Sequence, residues 1–69
     1  MKISARNVFP GTITEIKKGV TTSHVFIDIG GGTVITSSVT NEAVDELKLV
    51  VGQKAFAVIK SSDVMIGVA

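Results

Sequence analysis

Two short clusters of hydrogen-bond donors stand near the two ends of this chain, Ser4-Ala5-Arg6-Asn7 and Lys60-Ser61-Ser62. Between them they offer hydroxyls, one guanidinium, one ammonium and free backbone N–H groups, the donor set that holds a small oxyanion. No nucleophile, general base or metal constellation accompanies them. His24 is the single histidine, no Ser, Asp or Cys stands at a spacing that would make it catalytic, and the absence of cysteine excludes Cys₄ and Cys₂His₂ zinc sites. The expected chemistry is binding, not enzymatic turnover, with no side chain ligating a metal directly.

Each cluster is spliced onto an apolar, strand-like run. Ile3 to Phe9 reads as a first strand, Pro10-Gly11 as a break or bend at an edge or corner, and Thr12 to Lys17 as its continuation. After a turn at Lys18-Gly19-Val20, Ser23 to Ile29 alternates, with Val25, Ile27 and Ile29 on one face and His24, Phe26 and Asp28 on the other. Gly30-Gly31-Gly32 reverses the chain as a hairpin loop, and without a following lysine and helix it is no phosphate-cradling loop. Thr33 to Val39 returns. Thr40 is placed to cap a short helix whose buried stripe would be Ala43, Val44 and Leu47. Ala55 to Ser61 and Val64 to Val68 then read as the last two strands. The pattern predicts a mostly β chain: a small OB-like barrel of about five strands with one short helix.

Sixty-nine residues make one domain, 1–69, and a chain this short buries only about 60% of its unfolded surface. Hydrophobic residues make up 45% of it, chiefly Val, Ile, Leu and Ala, with Phe9, Phe26 and Phe56 as the only aromatics. That is more apolar surface than a tiny monomer covers, and with neither disulfide nor zinc to supplement the core, self-assembly is expected. A net charge of +1 and the absence of Trp and Tyr weigh against nucleic acid, whose OB-type binders stack bases on aromatics in a basic groove. No run reaches the roughly 18 apolar residues of a membrane span and no apolar export segment opens the chain, so the expected location is the cytoplasm and no membrane partner is expected.

Ser4-Ala5-Arg6-Asn7 ahead of a Gly-Thr-Ile strand, Ile35-Thr36-Ser37, and Lys60-Ser61-Ser62-Asp63-Val64-Met65-Ile66 together resemble molbindin, the free-standing Mop domain. The likeness extends over essentially the whole chain; Phe9-Pro10-Gly11 is its less typical stretch. The resemblance implies an OB-type barrel assembled as a homohexamer, a trimer of dimers, that binds molybdate or tungstate at subunit interfaces without an organic cofactor. It further implies a cytoplasmic role in molybdenum storage or homeostasis. Mapped onto this sequence, the oxyanion site would comprise Ser4, Ala5 and Arg6 joined by Thr40, Lys60 and Ser61, with a neighbouring subunit contributing part. A secondary oxyanion site would involve Lys18, Gly19 and Val20.

Those residues suit a tetrahedral dianion that has four acceptor oxygens and no proton. Arg6 and Lys60 offset its charge, while Ser4, Thr40, Ser61 and the N–H groups near Ala5 and the helix start supply directional donors. Sulfate would be excluded by cavity size and phosphate by the lack of an acceptor for its proton, unless Asp63 points inward. Two other readings compete: a purely structural assembly module, in which the same clusters make only interface hydrogen bonds, and an OB-type nucleic-acid binder. Taken singly, Arg6 would be half of a surface salt bridge and Lys60 a strand end in solvent.

Overall fold

The longest element, β1 (Asn7–Lys18), changes partners halfway along its length. In the computed structural model, which describes residues 1–69, its first half pairs antiparallel with β4 (Lys54–Ile59), from Asn7 opposite Ile59 to Thr12 opposite Lys54. Its second half pairs with β2 (Thr22–Gly30), from Thr12 opposite Asp28 to Lys18 opposite Ser23, with a bulge between Ile13 and Glu15. β3 (Thr33–Thr40) lies antiparallel to β2, giving the order β3-β2-β1-β4. The result is a curled four-stranded sheet, a half-barrel of the OB-like kind.

Pro10-Gly11 is where the expected break becomes something more useful. Pro10 sits in the half of β1 that has β4 on one side and an open edge on the other, a place where a residue without an N–H is tolerated. At Gly11 the strand crosses so close to β2 that a Cβ would lie 2.5 Å from the Asp28 carbonyl oxygen and 2.7 Å from Ile27 Cγ2. Glycine is needed here for close approach, and the strand runs through without interruption.

The alternation along β2 fixes the core. Val25 and Ile27 are buried with Ile13 of β1 and Ala57 of β4, and Ile29, Ile35, Val39, Leu49 and Ala55 pack around them. The outward register carries His24, Phe26 and Asp28, with the Lys17 ammonium 5.5 Å from the centre of the Phe26 ring. The three glycines of the hairpin all take positive φ, and the Asp28 carboxylate accepts a hydrogen bond from Gly30 N–H at 2.8 Å.

The helix α1 (Asn41–Glu46) is capped as expected, the Thr40 hydroxyl oxygen accepting from Ala43 N–H at 3.0 Å. Val44 is buried in the core cluster, but Leu47 is 64% exposed. The helix stops at Leu47 and Lys48 turns left-handed with φ 53°, so it is Leu49, after the reversal, that reaches the core. The expected fifth strand also differs: β4 ends at Ile59, Ser61–Asp63 form a single 3₁₀ turn, and residues 64–69 run as an irregular tail. Met65, Ile66 and Val68 of that tail are 91%, 88% and 93% exposed, since no strand of the same chain lies beside them. No helix is long and apolar enough to cross a membrane.

Candidate functional site

The end-to-end separation of the two donor clusters in sequence vanishes in the fold. Asn7 opposite Ile59 is the last rung of the β1–β4 ladder, and the Asn7 side-chain amide donates to the Ile59 carbonyl at 3.2 Å. The chain segments leaving that rung are Ser4-Ala5-Arg6 on one side and Lys60-Ser61 on the other, so antiparallel pairing places them beside each other. Ser4 lies in a bend rather than in the strand expected from Ile3 onward, and the 3₁₀ turn after Lys60 is closed by Asp63 N–H donating to the Lys60 carbonyl at 2.9 Å.

Ser4, Arg6, Lys60 and Ser61 are all exposed, and none of their side chains makes a hydrogen bond or ion pair within the chain. The two ion pairs present involve other residues, Lys17 with Glu15 and Lys18 with Asp45. Arg6 is therefore not half of an intramolecular surface salt bridge. Two cations and two hydroxyls sit at one corner of the sheet with their donors free. A dianion there meets donors only, apart from the exposed Asp63 two residues beyond Ser61.

Thr40 is elsewhere. It pairs with Thr22, next to the β1–β2 turn, whereas Asn7 is eleven residues back along β1, roughly 35 Å of strand at about 3.3 Å per residue. The structure thus groups Thr40 with Lys18, Gly19 and Val20 and leaves Ser4, Ala5, Arg6, Lys60 and Ser61 as the other group. The expected cluster of free N–H groups at the helix start is mostly used up: Asn41 N–H donates to the Thr21 carbonyl at 2.9 Å and Ala43 N–H to Thr40. The Thr40 hydroxyl, which accepts from Ala43 N–H, keeps its own proton for a ligand.

Two residues of this second group carry no expectation from motif reading. The Asn41 amide donates to the carbonyls of Gly19 and Val20 at 3.0 and 3.2 Å, and its oxygen accepts from the buried Ser23 hydroxyl. The signal lay in the strand alternation, because Ser23 shares the inward register of Val25 and Ile27 and a buried hydroxyl needs a partner.

Neither of the two surface grooves overlaps the Arg6–Lys60 corner. Both run between the facing edges of β3 and β4 and are lined chiefly by apolar side chains, including Ile27, Ile35, Phe56 and Val58. In a single chain the corner is open to water.

Comparison with known proteins gives a consistent result. Residues 3–66 match the TOBE domain model. The chain is 52% identical over 68 residues to a probable molybdenum-pterin-binding protein of Haemophilus influenzae, covering 99% of both. Among solved structures it is similar to MopII from Clostridium pasteurianum, with a TM-score of 0.91 at 45% identity over 97% of this chain and all of that one. It is also similar to the cytoplasmic molybdate-binding protein ModG with molybdate bound, with a TM-score of 0.94 at 48% identity; this chain is covered completely and 49% of ModG is matched.

Proposed function

We propose, from the premise that this chain belongs to the TOBE domain family, that it binds molybdate or tungstate between subunits of a homohexamer. The observation that carries this reading is the Arg6–Lys60 corner: two cations held beside one ladder rung, with neither a carboxylate partner nor a side-chain hydrogen bond of their own. The molybdate-bound ModG, at 48% identity, supports the choice of anion.

Assembly follows from surface. A folded chain of 7.2 kDa is expected to expose about 4,100 Å². This one exposes 5349 Å² and buries only six residues, which leaves roughly 1,200 Å² in excess of a self-sufficient monomer. Much of that excess is apolar and contiguous in kind with a subunit interface: the open edges of β3 and β4, Phe56 at 54% exposed, and the tail from Val64 to Val68. A second copy also resolves the placement of Thr40, which reaches an Arg6–Lys60 corner only if that corner belongs to another chain. Enclosing a dianion costs several kcal/mol unless every oxygen is paired, so donors drawn from two subunits favour a dry, size-selective site.

The role that fits is molybdenum storage or homeostasis in the cytoplasm, carried out by binding alone. Native mass spectrometry of the purified protein with molybdate, beside an equal concentration of sulfate, tests it. A hexamer that takes up several molybdates and ignores sulfate is the expected result. A hexamer that takes up neither makes the donor clusters structural, and a monomer removes the interface site.

A further inference from the structure

We infer that Asn7 is the positioning residue of the Arg6–Lys60 corner: its side-chain amide sets the spacing of the two cations that an oxyanion must bridge. This rests on the oxyanion reading above. Asn7 is the member of the Ser4–Asn7 cluster whose side chain is tied down. It opens β1, is half-buried, and donates through Nδ2 at 3.2 Å to the carbonyl of Ile59, the residue that closes β4. A carbonyl facing that end of the amide fixes it as the NH₂ group.

Beyond this rung no hydrogen bond crosses between the two clusters. None engages residues 1–6, and past Ile59 the bonds stay local, from Asp63 N–H to the Lys60 carbonyl at 2.9 Å and from Val64 N–H to the Ser61 carbonyl at 3.3 Å. The end of a ladder is where strands fray. Arg6 leaves the rung on one strand and Lys60 on the other, so opening it parts the two charges that a dianion needs close together. The amide adds a cross-strand tie at that point. It also covers the Ile59 carbonyl, so three successive carbonyls, those of Ile59, Lys60 and Ser61, each have a donor. The segment that carries the ammonium thus turns no unpaired carbonyl toward the anion.

Asn7→Ala removes the tie and leaves every proposed anion donor in place. The test is a double-mutant cycle on molybdate affinity, by calorimetric titration of the assembled parent, Asn7→Ala, Arg6→Ala and the double variant, with native mass spectrometry checking assembly of each. Positioning through Arg6 predicts that Asn7→Ala raises Kd by about tenfold in the parent and by no more than about twofold once Arg6 is replaced. A loss of stability with Kd unchanged makes the bond merely structural and overturns the inference, as do equal factors in the two backgrounds. A parent that binds no molybdate, or binds it equally well with Arg6→Ala, overturns the oxyanion site and this inference together. Asn7→Leu, close to asparagine in size, serves the same cycle where the alanine variant does not assemble. A second measurement needs no variant: solvent exchange of the Asn7 side-chain amide protons, followed by ¹⁵N-edited NMR in the parent. One proton should be protected without ligand and more strongly protected at saturating molybdate. Free exchange of both protons in both states overturns the inference, whatever the variants do.

Discussion

Arg6→Ala separates a ligand-binding arginine from a structural one, because in this fold the side chain has no intramolecular partner to lose. Its removal should change the stability of the ligand-free protein by no more than about 0.5 kcal/mol, as for other exposed substitutions away from special features. Its effect on binding is that of a charged hydrogen bond to an enclosed anion, about 2 kcal/mol, which corresponds to roughly a 30-fold rise in Kd. That difference can be read thermally as well as by calorimetric titration. Molybdate at a hundred times the parent Kd should stabilise the parent by about 2.7 kcal/mol, and the variant, at the same concentration, by only about 0.9 kcal/mol. Lys60→Ala should behave in the same way, because the Asn7–Ile59 rung places both cations at one corner. Equal molybdate stabilisation in parent and both variants would refute the site. A large loss of ligand-free stability would refute the premise that these side chains are unengaged.

Removal of Val64–Ala69 should leave the four-stranded sheet folded by circular dichroism, since the tail pairs with no strand of its own chain, while sedimentation shifts to smaller species. Gly11→Ala should destabilise by about 2 kcal/mol or more in a urea titration, because the new methyl meets the Asp28 carbonyl rather than a movable side-chain end. Thr40→Ala should lower stability by about 1 kcal/mol through the lost cap to Ala43, and Thr40→Ser should restore both stability and molybdate affinity.

What the sequence made legible was the part governed by local pattern. Alternation from Ser23 to Ile29, the glycine reversal and the threonine cap each have a short-range physical cause, and each stands where the residues imply. Leu47 and the tail were misread for a shared reason. Apolar spacing marks a face that must be covered but not what covers it, and a turn at Lys48 is enough to pass the duty from Leu47 to Leu49. Val64–Val68 has a strand's composition without a strand's neighbour, which only the sheet order reveals. The donor clusters were recognisable as residue types, yet their meeting depends on β1 and β4 being antiparallel with Asn7 opposite Ile59, a register that no local rule sets. For the same reason the separation of Thr40 from Arg6 could not be read from the sequence alone.

The placement of Asp63, the carboxylate nearest the proposed site in sequence, decides whether hydrogen phosphate is admitted. Hydrogen phosphate carries a proton that a donor-only site cannot receive, so a carboxylate inside the site would admit it. In this fold Asp63 is exposed, without an ion-pair or side-chain hydrogen-bond partner, and only its N–H is engaged, with the Lys60 carbonyl across the 3₁₀ turn. A carboxylate so placed acts on the site through charge alone. For a separation on the order of 8 Å in water, one charge opposes a dianion by about 1 kcal/mol before screening and by roughly 0.4 kcal/mol at physiological salt. Asp63→Asn should therefore tighten molybdate, sulfate and phosphate by the same factor of about two, and the gain should shrink as salt is raised. Calorimetric titration with the three anions in parallel decides it: a selective loss of phosphate binding would mean that the carboxylate points into the site and accepts the proton, and that the parent site does not exclude phosphate.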